Sequence, residues 1–177
     1  MQLSHTLSSM SVAFDDPNLV SSAGLVPVLG LAQRCGLQDV AADALTVPSP
    51  NAAVKVAAVV AGMVAGADAI DDLDRLRHGG MARLFTGIRA PSTLGTFLRS
   101  FTFGHVRQLD KVAATVLVNV AGHTPLLGDV DRVCLVDVDD TVKQTYGYAK
   151  QGAGYGYTGI KGLNALIGVL STPTSAR

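Results

Sequence analysis

The sequence contains no glutamate: all fourteen of its acids are aspartate. Chemistry that needs a Glu must therefore borrow it from another chain. Cysteine is almost as scarce. Cys35 and Cys134 stand about a hundred residues apart with no Cys/His cluster around either, which argues against a zinc site and against a disulfide framework. Both are expected to be small buried residues in a reducing compartment. Net charge is absent too, with 14 bases against 14 acids, so the whole-chain balance points to neither a polyanion nor a membrane surface. The longest apolar run, residues 54–67, contains Lys55 and is too short for a bilayer. The opening MQLSHTLSSMSVAFDD has no basic start and no sustained apolar stretch, unlike a signal peptide. A cytoplasmic chain with no membrane partner is expected.

What is present is a foldable composition of 177 residues, 48% hydrophobic and 16% charged. Its charge is segregated. Residues 1–74 hold eight acids against two bases, residues 75–107 hold six arginines and no acid, and residues 141–177 hold four bases and no acid. Such segregation can orient a polyanion.

Helical spacing dominates the first two thirds. A small hairpin is expected around the turn signal Asp15-Asp16-Pro17-Asn18, between residues 11–14 and Leu19-Val20. A helix carrying Leu25, Val28, Leu29 and Ala32 is then stopped by Gly36, and a short one over residues 39–45 is stopped by the Pro48-Ser49-Pro50 break. Asn51 caps what should be the longest helix, whose stripe Val54, Ala57, Ala58, Ala61, Val64 continues toward Ile70 and Leu73 until Gly79-Gly80. Residues 80–87 form another short helix. Pro91 forces a restart that Ser92 can cap, with Leu94, Phe97, Leu98 and Phe101 on one face, and helix resumes over residues 105–121. The period then changes. Residues 133–138 form a β-branched run of strand length, and residues 160–170 are a second apolar segment beyond a Gly/Tyr-rich connection.

Three features bear on chemistry. In Asp137-Val138-Asp139-Asp140-Thr141, placed at the end of the strand, alternation puts Asp137 and Asp139 on one face about 6 to 7 Å apart. Such a pair can hold divalent ions for phosphoryl transfer, and the same spacing also fits a strand running out into a solvated acidic turn. The loop over residues 152–159 fails the spacing of a dinucleotide fingerprint and reads better as a hairpin connection, with Lys150, Lys161 and tyrosines that would suit a nucleic-acid backbone. The run Arg75, Arg77, Arg83, Arg89, Arg99, Arg107 surrounds the Pro91-Ser92-Thr93 helix start, a geometry suited to presenting a helix to DNA. An ordinary solvated basic face fits it as well. The four histidines read as structural or surface residues.

Taken in order, the early hairpin, Gly24-Leu25, Arg34-Cys35-Gly36-Leu37, Asp68-Ala69-Ile70-Asp71-Asp72-Leu73, Ala90-Pro91-Ser92-Thr93-Leu94 with Phe97-Leu98, and Asp137-Val138-Asp139-Asp140-Thr141 with Gly147 and Gln151 resemble the start of bacterial insertion-sequence transposases of the DDE group-1 type. The resemblance runs over essentially the whole chain. It implies a mainly α N-terminal region, residues 1–124, that binds duplex DNA, for which the arginine run and its helix start offer Arg75, Arg77, Arg83, Arg89, Ser92, Thr93, Arg99 and Arg107 as the contacts. Residues 125–177 would be the start of a ribonuclease-H-like α/β core, its first β-hairpin only. Asp139 with Thr141 would carry the first catalytic, metal-binding carboxylate, Asp137 being the second choice, and the cofactor would be Mg2+ or Mn2+.

Members of that family continue to a second Asp and a Glu, so this chain reads as a truncated transposase without a complete triad, binding DNA at element ends in the nucleoid-associated cytoplasm. A full-length relative or self-association would be its protein partner, and no small-molecule substrate is expected. The rivals are a non-catalytic helical DNA-binding regulator and an enzyme using the glycine-rich loop for a phosphorylated small molecule.

Overall fold

In a computed structural model, which describes residues 16–129, 131–146 and 152–174, the chain divides into two units, Met1–His123 and Thr124–Arg177. The first is helical: α1 (Leu25–Arg34), α2 (Leu37–Ala44), α3 (Ala52–Val64), α4 (Met81–Leu84), α5 (Pro91–Arg99) and α6 (Phe103–His123), with a 3-10 segment at Asp71–Arg77. Gly36 separates α1 from α2 with φ +72, a left-handed conformation that glycine adopts without steric cost.

Two expectations about helix ends are corrected. The long helix from Asn51 does not run to Gly79. It closes at Val64 because Gly66 takes φ +85, its N–H bonding to the Met63 carbonyl and that of Ala67 to the Gly62 carbonyl. These two bonds are the Schellman arrangement, which satisfies carbonyls that the helix would otherwise leave bare. Ser92 is also not the cap of α5. The cap position belongs to Ala90, Pro91 is the first helical residue, and no side chain caps the helix. The proline's fixed φ favours this start, and its missing N–H costs nothing there.

The early hairpin is corrected as well. Residues 1–15, which include its first arm, lie outside the described residues, and Leu19-Val20 is not a strand. Asp16 instead closes a turn, its carboxylate accepting from Asn18 N at 2.8 Å and its carbonyl from Leu19 N at 3.1 Å. The Leu19 carbonyl then accepts from Gly80 N at 2.6 Å, which ties this segment to the start of α4.

Among the described residues the core of the helical unit has three clusters, and α3 reaches each of them with small side chains. Val56 joins Leu37, Ala41, Val47, Phe97 and Val112; Ala58 joins Leu73 and Leu94; Ala61 joins Leu25, Leu76, Met81 and Phe85. Gly62 extends the close approach, since a Cβ there would overlap Leu73 Cδ2. Asn119 on α6 donates to the carbonyl of the buried Cys35 at 2.9 Å, which locks α6 onto the α1–α2 corner.

The second unit is an antiparallel sheet of β1 (Leu135–Gln144), β2 (Gly154–Tyr155) and β3 (Lys161–Ser171) in the order β1-β3-β2. β1 and β3 pair from Leu135↔Ser171 to Gln144↔Gly162, and β2 adds Gly154↔Gly162 and Tyr155↔Lys161. Gly162 is required where three strands meet: a Cβ there would come within 2.7 Å of the Lys143 carbonyl oxygen. Thr172, after β3, donates its hydroxyl to the Gly128 carbonyl at 2.5 Å. Among the described residues, both faces of the sheet carry exposed apolar side chains. Val136, Val138, Leu166, Ile167 and Val169 are all exposed, apolar surface of the kind that layered domains bury against a second element. Cys134 is only half-buried, unlike Cys35, because it precedes this uncovered strand.

Candidate nucleic-acid interface and carboxylate pair

The arginine run is half neutralised by its own neighbours. Helical and 3-10 turns bring residues three apart onto one side, so three of the arginines there meet an aspartate. Arg75 Nη2 donates to Asp72 Oδ1 at 2.9 Å, and its Nη1 to the Gly66 carbonyl at 3.2 Å. Arg77 Nη1 donates to Asp74 Oδ1 at 2.6 Å, and His78 Nε2 lies 2.9 Å from Asp74 Oδ2. Arg107 Nη1 donates to Asp110 Oδ2 at 3.1 Å. The carboxyl of Asp72 is held below the usual carboxylate range, first by the backbone N–H of Ala69, then by that of Asp68, with Arg75 adding to both. That of Asp74 is lowered chiefly by its hydrogen bond from Arg77. Both acids are therefore charged at neutral pH, where their arginines offer a phosphate little net charge.

Arg83, Arg89 and Arg99 differ. Among the described residues no carboxylate pairs with any of them. Arg83 Nη1 donates to the neutral Asn18 Oδ1 at 3.3 Å, and the exposed Arg99 folds back over Gly95. Arg89, two residues before α5, has a buried Nε with no hydrogen-bond partner among the described residues. Ser92 and Thr93 are exposed in the first turn of α5, where backbone N–H groups lack helical partners.

One residue was missed by sequence reasoning. Lys55 counted only as an interruption of an apolar run, yet it borders a groove of about 440 Å³ together with Ser92, Thr93, Thr96 and Ser100. Its ammonium donates to Ser49 Oγ at 2.7 Å and lies 5.6 Å from the centre of the Phe97 ring. The only signal available was its charge inside an otherwise apolar stripe. A larger cavity, about 520 Å³, is bordered by Val26, Leu29, Leu37, Ala61 and Phe85, with Asp39 its single ionisable lining residue.

In the sheet unit the acids lie in mid-strand. The strand does not end at Val138 but continues to Gln144, so the solvated acidic turn is overturned along with the strand-end placement. Asp137 and Asp139 share one face with Thr141, opposite Val169, Ile167 and Ala165 of β3. Asp140 is on the other face and accepts from Asn164 Nδ2 at 3.1 Å, while Asp139 Oδ1 accepts from Asp140 N at 2.8 Å. Two exposed carboxylates with all-oxygen donors suit Mg2+ or Mn2+. Among the described residues no three His, Cys or Asp side chains come together to hold a metal ion. Lys150, Gly147 and Gln151 lie outside the described residues, and the glycine-rich connection contributes the short strand β2. No described helix is long and apolar enough to cross a membrane.

Compared with known proteins, the chain matches no family model, no curated protein and no solved structure.

Proposed function

We propose that this chain is a DNA-holding portion of an insertion-sequence transposase of the DDE group-1 type, in which the helical unit grips duplex DNA and β1 contributes the first carboxylate of a two-metal site. The observation that carries this reading is the face of β1 on which Asp137, Asp139 and Thr141 stand together, exposed, on a sheet with exposed apolar side chains on both faces. A surface of that kind suits the opening strands of a ribonuclease-H-like layer, with further ligands, Glu included, arriving from outside these residues.

Asp139, with Asp137 as second choice, would hold Mg2+ or Mn2+. When bound, such an ion activates a water and stabilises a leaving phosphate oxygen. Arg83, Arg89 and Arg99 would neutralise phosphates, and the Ser92 and Thr93 hydroxyls would hydrogen-bond them at the start of α5. None of these contacts reads a base edge, so the grip fixes position rather than sequence. With DNA as its partner, the chain would work in the nucleoid-associated cytoplasm.

The helical unit has its own buried clusters, which favours as second reading a helical DNA-binding regulator with no catalytic descent. Mn2+ separates the two. Paramagnetic broadening of amide signals around Asp139, abolished in Asp139→Asn, is expected for the transposase reading. Duplex binding with no Mn2+ effect on β1 would leave the regulator, and absence of duplex binding would remove both. Strand cleavage by the chain alone is not expected.

A further inference from the structure

Among the described residues, the outer edge of β1 is the longest run of sheet backbone that no strand pairs. With the order β1-β3-β2, β1 bonds to β3 on one side, and no described strand pairs with its other side over ten residues. Exposed edges of this kind are templates for another strand.

Which residues offer their backbone outward follows from the ladder. Thr145 N donates to the Lys161 carbonyl at 3.1 Å, in line with the β1–β3 register. Hydrogen-bonded pairs alternate along an antiparallel ladder, so counting back in twos from Thr145 gives Lys143, Thr141, Asp139 and Asp137 as the residues that bond inward to β3. Val136, Val138, Asp140, Val142 and Gln144 therefore present N–H and C=O to the free edge.

Charge then selects the partner and the register. β1 is acidic at Asp137, Asp139 and Asp140 and basic at Lys143, so an antiparallel copy of itself brings opposite signs together. Outward groups must meet outward groups, which limits a two-fold pairing to registers centred on a residue. Centring on Val138, Asp139, Asp140 or Lys143 sets like charges face to face, which is destabilising. Centring on Val142 leaves Lys143 facing Thr141. Centring on Thr141 sets Asp139 opposite Lys143 twice and no like charges opposite each other.

We propose that two copies of this chain pair edge to edge through β1, antiparallel about Thr141, with Asp139 of each copy meeting Lys143 of the other. The product is a continuous six-stranded sheet. Asp139–Lys143 and Thr141–Thr141 are its non-hydrogen-bonded pairs, where side chains approach most closely. Strand register and charge carry this pairing, which does not rest on the DNA reading; in the dimer the outer edge of β1 is taken, which leaves no room for a further strand there, and a metal ion would compete with Lys143 for Asp139.

Sedimentation equilibrium of the full chain tests it. The wild type is expected to dimerise, D139K and K143D each to weaken association about tenfold, and D139K/K143D to recover it, since two cross-strand pairs change sign together. A second test needs no charge change. In a Cys134→Ser background, where Cys35 is buried, Thr141→Cys should give a disulfide-linked dimer under mild oxidation because the facing Cα atoms would be about 4.5 Å apart. Val142→Cys should not. A monomer at all concentrations, association indifferent to the swaps, failure of the double swap to recover it, or preferential cross-linking at position 142 would each overturn the proposal.

Discussion

Salt dependence is the sharpest measure of how many arginines meet DNA. If all six in residues 75–107 contacted phosphates, raising salt from about 50 to about 200 mM would weaken duplex binding by about a thousandfold or more. The structure lowers that number, because Arg75, Arg77 and Arg107 are matched by Asp72, Asp74 and Asp110 at 2.6 to 3.1 Å. With Arg83, Arg89 and Arg99 as the remaining contacts, the slope of log affinity against log salt should be about −2.7, an affinity loss of about fortyfold over the same range. Fluorescence anisotropy on a labelled duplex measures it directly. Arg99→Ala should flatten the slope by about 0.9, whereas Asp110→Asn, which frees Arg107, should steepen it by about the same amount. A wild-type slope of about −5, or an Asp110→Asn slope equal to that of the wild type, would refute the idea that neighbouring carboxylates withhold these arginines.

Phe97→Ala should cost about 3 to 5 kcal/mol, since the ring is 2% exposed and packs edge-on to Phe101 at 5.0 Å; thermal denaturation monitored by helical circular dichroism checks it. Gly162→Ala should disrupt the β1–β3 end of the sheet, because its Cβ would press on the Lys143 carbonyl, and amide chemical shifts of Lys143 and Gln144 should move while those of α3 do not. Acid should loosen the Asp71–Arg77 turn first. The folded carboxyls of Asp72 and Asp74 titrate below their unfolded range, so their contribution is fully present above about pH 4 and is lost as pH falls through the lowered folded values. Backbone amide exchange at Leu73 and Leu76, followed down the pH scale, reports it, and protection that stays unchanged once these carboxyls are protonated would refute it. Limited trypsin digestion should cut early after Arg132, an exposed residue near the start of the sheet unit, and release a helical fragment.

Much of the helical unit was legible because glycine and proline punctuate it. Gly36 ends α1, Pro48 and Pro50 follow α2, and Pro91 starts α5, each for a backbone reason that needs no tertiary context. The overextension of α3 shows the limit. Its small-residue stripe continues in sequence past Gly66, and only the paired carbonyl bonds made by Gly66 and Ala67 show that the chain has already turned. Asn51 was the right residue for a different reason: it sits at the start of α3 with φ +55 and makes no side-chain cap, so its tolerance of the left-handed region is what it supplies. In the sheet unit, alternation separated Asp137 and Asp139 from Asp140 correctly. The strand's length was missed because Asp139, Asp140 and Lys143 are poor strand formers, and pairing with β3 overrides that preference. For the arginines, position in sequence gave the cations but not their partners, which arise only when three-residue spacing is folded into a turn.

The position of α3 sets how the helical unit comes apart. Because Val56, Ala58 and Ala61 each belong to a different buried cluster, no cluster can open while α3 stays docked on the other two without stripping one side of the same thirteen-residue helix. Fluctuations that release α1 or α6 alone remain local, whereas releasing α3 empties every cluster at once. Its amides should therefore exchange with solvent only through complete unfolding of the unit, at one shared free energy, and should be the last in the chain to lose protection as denaturant rises.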